Sequence, residues 1–366
     1  MTMPRSALIS LPDTPWYHLV SRCVRRAYLC GEDYFTGQNF EHRRGWIENR
    51  VQELAAVFAV DVAAYAVMSN HYHLVVRVDS ERPQLWTDQE ILERWTKLFT
   101  GPLLVQRFLS AERTDMSPSE LAKVSDWVET YRERLFDLSW FMRVLYESIA
   151  RMANMEDGCT GRFWEGRYKS QALLDEQAVL MAMSYVDLNP IRAGIAETPE
   201  TSEHTSIKLR IEKIKRKEST TDEVLVPVTA PQGAVNPQFT DSLKNEEQLT
   251  QLAKAPLLPF DAAESLAISI PFACEDYFEL VDYIGKAIHP NKRGSIPETL
   301  PNILTRLNID PDTFIEQTAS TLCAFGCAVG IPDNLIALAA TRQKRHLHGM
   351  RKARALFAAK HQTLAA

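Results

Sequence analysis

Between Val60 and Val78 the chain reads VDVAAYAVMSNHYHLVVRV. Two runs of β-branched and apolar residues flank Ser69 and Asn70, residue types that turns favour. The pattern predicts a hairpin, with one strand over Val60–Met68 and another over His73–Val78. An isolated hairpin is marginal in water, so this one has to join a larger sheet. That requirement admits only folds with a sheet at their centre. Upstream, WYHLVSRCVRRAYLC (Trp16–Cys30) begins with β-favouring residues and predicts an earlier strand followed by a loop. Phe40–Ala59 predicts a helix, because Trp46, Ile47, Val51, Leu54, Ala55 and Phe58 recur at three- and four-residue spacings.

Downstream of the hairpin, residues 84–154 read as helical, with breaks at Gly101–Pro102 and Met116–Ser119. GRFWEGRYKSQALLD (Gly161–Asp175) reads as mostly strand. Asp175 is suited to cap the helix that follows, EQAVLMAMSYVDLN, with Glu176 acidic in its first turn. Pro190 should end that helix, since the residue before a proline is pushed out of the helical region. The order is strand, helix, strand, strand, helices, strand, helix. It predicts an α+β fold: a ferredoxin-like antiparallel sheet with helices on one face, followed by an α-helical C-terminal domain.

At roughly 100–200 residues per domain, 366 residues suggest about two domains. The boundaries expected are a first domain over 1–205 with a helical insertion at about 84–157, a polar linker over 206–260, and a helical domain over 261–366. Within the last, periodic segments predict helices near Asp276–Ile288, Leu300–Leu307, Pro311–Gly326 and Asp333–Ala340, then a basic helix in TRQKRHLHGMRKARALFAAKHQ. No run approaches the roughly 20 apolar residues of a membrane helix, and the N-terminus has no signal-peptide core. The expected location is the cytoplasm. The six cysteines include no pair of C-x-x-C units, which argues against a zinc ribbon. Cys323 and Cys327, one helical turn apart in an apolar stretch, read as buried reduced thiols.

The chemistry starts at His71 and His73. Residues i and i+2 of a strand share a face, so the two imidazoles project together with Tyr72 opposite. Such a pair suits a divalent metal, since neutral imidazole is the commonest metal ligand. The plainer reading is two polar residues at a hairpin edge. The helix ending SYVDLNP offers Tyr185 and Asn189, four apart and on one face. An asparagine carbonyl is a hard ligand for Mg²⁺ or Mn²⁺. Taken singly, Tyr185 also fits a half-buried aromatic and Asn189 a helix C-cap.

MSNHYHLVVRV, GRFWEGRYKSQALLD and SYVDLNPIRAGI, in that order, resemble the single-tyrosine HUH transposases of bacterial insertion sequences. The branch most resembled is the REP-associated tyrosine transposases, with an N-H-x-H hairpin and a Y-I-x-x-N-P-x-R-A-G helix end. LSWFMRVLYESIARMAN followed by CTGRFWEGRYKS is also similar to that family. The resemblance covers roughly residues 14–200; Val186 stands where isoleucine is usual. It implies that His71, His73 and Asn189 bind a divalent metal, Mg²⁺ or Mn²⁺, and that Tyr185 is the nucleophile. The implied activity is cleavage and rejoining of single-stranded or hairpin DNA through a phosphotyrosine.

The net charge of −6, from 41 basic and 47 acidic residues, counts against holding nucleic acid by overall charge. Local basic residues have to compensate. Arg162, Arg167, Lys169 and Arg192 cluster around the three blocks and are candidate contacts to backbone phosphates. Phe163, Trp164 and Tyr168 lie among them and suit either base stacking or the core. Asn70 suits either the turn or a hydrogen bond supporting the histidines. The C-terminal helices suit recognition of a DNA hairpin, homodimerisation or a partner. Two rivals stand beside the transposase reading. One is a domesticated protein that binds structured nucleic acid without cutting it. The other is a metal-dependent phosphodiesterase that uses water.

Overall fold

The structure, a computed structural model, describes residues 8–24, 30, 31, 37–219, 242–249, 252–263, 265–288, 304, 322 and 325–357. One sheet contains β1 (Trp16–Arg22), β2 (Val60–Val67), β3 (His71–Val78), β4 (Lys169–Leu173) and β5 (Ala328–Val329), in the order β2-β3-β1-β4-β5. The first four pair antiparallel, and β5 runs parallel to β4. β1 and β2 both oppose β3, which lies between them, so they are parallel to each other. Helix α1 (Arg43–Val57) connects them. This is the split β-α-β arrangement of a ferredoxin-like sheet. The fold is α+β, as the element order implies.

Strand register decides which side chains share a face. Arg22 pairs with His71, Val20 with His73, His18 with Val75, and Trp16 with Arg77. Those residues form one face; Tyr17, Leu19 and Ser21 with Tyr72, Leu74 and Val76 form the other. The longer helices after β3 are α2 (Asp88–Leu98), α3 (Pro118–Leu135) and α4 (Leu138–Glu156), with shorter turns between them. α1 and α4 cover the second face together. There the Tyr146 hydroxyl donates to Ser21 Oγ at 2.6 Å, Tyr65 donates to Glu48, and Phe58 packs edge-on to Phe141. The first face takes α5 (Glu176–Asp187), which packs on β2, β3 and β4. Helices thus cover both faces rather than the one expected, because the last helix packs opposite α1, and β2 and β3 are buried almost throughout.

The strand-like block Gly161–Asp175 is strand only over Lys169–Leu173. Ahead of it Gly161 takes φ +119°, and the Arg162 guanidinium donates to the carbonyls of Trp164, at 2.8 Å, and Glu165. These contacts curl the chain out of a ladder, leaving one bridge, Cys23 to Trp164. α2 and α3 each start with a capping box, Thr87 with Glu90 and Ser117 with Glu120.

Beyond α5, Ser206–Ser219 forms α6. Residues 242–249 and 252–260 lie along the body: Lys244 N donates to Leu98 O, Ala255 N to Gln52 O and Leu258 N to Val62 O. α7 (Cys274–Ile288) and α8 (Pro332–Thr341) match two of the periodic segments. The expected helices Leu300–Leu307 and Pro311–Gly326 lie almost wholly outside the described residues, as does Cys323. Among the described residues of the basic run, Met350–Phe357 forms α9. Gln343 at φ +53° and Gly349 at φ +104° interrupt it. β5, two residues long, carries no alternation from which it might have been foreseen.

Asp175 joins the C-terminal segment to α5. One carboxylate oxygen caps α5 by accepting from Ala178 N at 2.9 Å. The other accepts from Ile331 N at 2.8 Å and Asn334 Nδ2 at 2.9 Å. A Cβ on Gly330 would stand 2.8 Å from that second oxygen and 3.0 Å from Leu174 Cβ. Gly330→Ala should therefore destabilise the protein by about 1–3 kcal/mol in denaturant titration.

Glu48 gives a pH-dependent contribution. Burial alone would raise its pKa, but hydrogen bonds from His204 and Tyr65 reverse this and hold the carboxyl below its ordinary range. The stabilisation is present above the unfolded value, about 4.3, and is lost as pH falls through the depressed folded value. The advantage of wild type over Glu48→Gln should shrink on acidification below about pH 4.3, measured by urea unfolding at successive pH values.

Candidate active site

His71 opens β3 and His73 follows two residues on, so both project from the face that receives α5. Tyr72 points the other way, edge-on to Trp164 at 5.7 Å. His71 is half-buried and its Nδ1 lies 2.6 Å from Asn70 Oδ1. Asn70 thus turns the chain and also orients His71, leaving His71 Nε2 outward from that bond. His73 is buried, with Nδ1 3.0 Å from His18 Nε2 on β1. His73 Nε2 is buried and has no hydrogen-bond partner among the described residues. His18 Nδ1 in turn lies 3.0 Å from Gln171 Oε1 on β4.

The last turn of α5 carries Tyr185. Its ring stands edge-on to His73, with centroids 5.5 Å apart, and to His18 at 6.1 Å. α5 ends at Asp187, and Pro190 begins a separate helical turn, Asn189–Arg192. The guanidinium of Arg192 lies 4.3 Å over the Tyr185 ring. Asn189 is buried, and its Nδ2 lacks a partner among the described residues.

Asp187 anchors this helix end. Its fully buried carboxylate accepts from Ser206 Oγ, from Ile207 N at 3.0 Å and from Tyr277 OH at 2.6 Å. α6 and α7 therefore hold the turn between Tyr185 and Asn189 through a single side chain.

The imidazoles are held neutral at pH 7. Burial pushes His18 down to about 4 against the opposing bond from Gln171. Burial, with the Arg22 charge adding to it, pushes His71 down to about 4. His73 lies well below the ordinary value, from burial first and then from the charges of its neighbours. Neutral imidazoles are competent ligands. Among the described residues no group of three or more His, Cys, Asp or Glu is placed to hold a metal ion. Any third ligand beside His71 and His73 has to be of another type, as the Asn189 carboxamide is.

The expected phosphate contacts divide. Arg192 lies beside Tyr185. Lys169 is exposed and pairs with Val20, so it shares the face of His73. Arg167 is exposed on the loop before β4, and Arg162 is engaged with backbone carbonyls on that loop. Neither lies on a strand. Phe163, Trp164 and Tyr168 are core residues rather than a stacking platform: Trp164 stacks on Tyr146 at 4.6 Å, and its Nε1 donates to Tyr146 O. Three residues of the site escaped the sequence reading: His18, Arg22 and Gln171. The alternation Trp16, His18, Val20, Arg22 signals a polar half to one face of β1. Its partners become known only through strand register.

No family model matches the chain, and no curated protein matches it in sequence. Among solved structures, that of a REP-associated tyrosine transposase bound to a REP hairpin is similar over 61% of this chain and 93% of that one. The two are 8% identical, with a TM-score of 0.33. The chemistry accordingly has to be read from this chain's own site. Asp187→Ala would leave three buried donors without their acceptor and should cost about 2–4 kcal/mol in denaturant titration, with Asp187→Asn costing less.

Proposed function

We propose that the chain is a single-tyrosine DNA strand transferase, in which Tyr185 is the nucleophile and His71, His73 and Asn189 hold a divalent metal, Mg²⁺ or Mn²⁺. The observation that carries this reading is the approach of Tyr185 to the histidine pair. A phenol from a distant helix end stands edge-on, 5.5 Å between centroids, to a buried imidazole whose Nε2 has no partner among the described residues.

The residues fit the metal on three counts. His73 carries a buried nitrogen without a protein partner, which a cation would satisfy. His71 and His73 are neutral, so no proton has to be displaced at pH 7. Two imidazoles and a carboxamide form a mixed nitrogen and oxygen set compatible with Mn²⁺ or Mg²⁺. When bound, the ion would neutralise phosphate charge and polarise the phosphorus centre.

The protein's own groups account for the rest. Tyr185 Oη attacks the phosphorus of a single-stranded phosphodiester. An Oη–P bond forms as the phenol proton passes to solvent water, the bond from phosphorus to the 3′ oxygen breaks, and that oxygen leaves as a 3′-hydroxyl after taking a proton from water. The phosphotyrosine conserves the bond energy, so a 3′-hydroxyl can reverse the step and rejoin DNA. Asp187, locked to α6 and α7, keeps the Tyr185 turn in place. Arg192 and Lys169, with the exposed Arg22 opposite His71, supply positive charge on this face of an acidic protein, where a DNA backbone would be drawn in. The likeness to a structure of a transposase bound to a DNA hairpin suggests the substrate to try first.

The test is incubation with hairpin-bearing single-stranded oligonucleotides and Mn²⁺, followed by denaturing electrophoresis and peptide mass analysis. Wild type should form a covalent protein–DNA adduct on the Tyr185 peptide, and Tyr185→Phe should lose it by at least about 10³-fold. An adduct that survives in Tyr185→Phe overturns the assignment of the nucleophile. Cleavage with no protein-linked DNA indicates water as the nucleophile, and binding without cleavage indicates a recognition module.

A further inference from the structure

We infer that Gln171 and His18 form a positioning relay that holds His73 with its proton on Nδ1 and its Nε2 lone pair bare. We infer also that backbone carbonyls of the C-terminal segment set the relay's direction. The inference rests on the reading of His73 as a metal ligand.

The argument follows from which groups can donate and which can only accept. Gln171 Nε2 lies 2.8 Å from Leu322 O, 2.9 Å from Gly326 O and 3.3 Å from Phe325 O. Carbonyl oxygens only accept, so the amide must present its NH₂ group to them. The reverse orientation would set an oxygen against three oxygens. Gln171 Oε1 therefore faces His18 Nδ1, at 3.0 Å, and being a carbonyl oxygen it too can only accept. His18 Nδ1 must carry a proton.

A neutral imidazole has one N–H, so His18 Nε2 is an acceptor. It faces His73 Nδ1 at 3.0 Å, and that nitrogen must donate. The two ring planes are parallel to within 2°, with their centroids 5.2 Å apart. His73, also neutral, then has no proton left for Nε2. The atom so stripped is the buried one without a partner among the described residues. The opposite tautomer would bury an unpartnered N–H there and would turn a metal-facing lone pair into a donor.

Every link lies on one face of the sheet. Gln171 pairs with His18 across β4 and β1, and Val20 pairs with His73 across β1 and β3. The C-terminal segment, laid beside β4 by β5, thereby acts on the hairpin two strands away through hydrogen-bond direction alone. Its carbonyls cannot be protonated or inverted, so the direction is built into the fold. Metal-ligating histidines are commonly oriented by a partner on their second nitrogen. Here that partner is a histidine whose own tautomer is imposed from a third element.

The test uses the full chain labelled with isotopic nitrogen in histidine. Long-range proton–nitrogen correlation spectra of the metal-free protein report which ring nitrogen of His73 carries the proton, with the His73→Gln variant identifying its signals. Calorimetric titration reports Mn²⁺ affinity. Wild type should show His73 protonated on Nδ1. Gln171→Met removes the acceptor facing His18; His73 should then populate the Nε2–H form, with Mn²⁺ affinity falling about 10–100-fold. A proton on Nε2 of His73 in wild type overturns the relay and leaves the metal reading to its own titration. An unchanged tautomer and affinity in Gln171→Met overturn the relay as well. A wild type that binds no Mn²⁺ overturns the metal reading first and the relay with it.

Discussion

The antiparallel pairing of β1 with both β3 and β4 is the constraint on which the site depends. β1 occupies the centre of the sheet and sets the register on either side. A slip of one residue would turn His18 and Arg22 to the opposite face, beneath α4, and part His18 from both His73 and Gln171. The buried residues Tyr17 and Leu19 alternate with His18 and Val20, so the hydrophobic face enforces the polar one. The geometry of the candidate site on one side is thus secured by packing on the other.

Burying imidazoles has an electrostatic consequence. The charged form loses hydration, so the rings stay neutral and keep lone pairs available. Positive charge on this face is instead carried by the exposed Arg22 and Lys169 and by the half-buried Arg192. Groups suited to holding a cation lie inside, and groups suited to attracting a polyanion lie at the rim. A uniformly basic surface is unnecessary, which reconciles a negative net charge with the proposed binding of DNA.

Much of this was legible in the residues. The hairpin, α1, the capping of α5 by Asp175 and its interruption before Pro190 all follow from local rules of periodicity and backbone restriction. The same-face projection of His71 and His73 also follows from local geometry, whereas Tyr185 and Asn189, expected on one helical face, fall in separate helical segments because α5 ends at Asp187. What could not be read is what depends on register between distant strands. His18 looks like an ordinary strand residue until β1 is set against β3. Gln171 looks like a surface residue until the C-terminal segment is laid beside β4. The strand expected over Gly161–Tyr168 failed for a related reason: Arg162 folds back on its own backbone carbonyls, and Trp164 buries against α4. Single-residue propensities do not contain either contact.

The two edges of the sheet show how the chain protects itself from association through its own strands. A bare edge strand presents a row of unpaired amide groups that any extended peptide can join. At one edge β2 is capped by a bridge from Ala66 to Thr205, by a bond from Val67 N to His204 O, and by the Ser206 hydroxyl on Tyr65 N. At the other, two residues of β5 occupy the ladder beside β4. Those two residues close the sheet against foreign strands with the least possible length of chain.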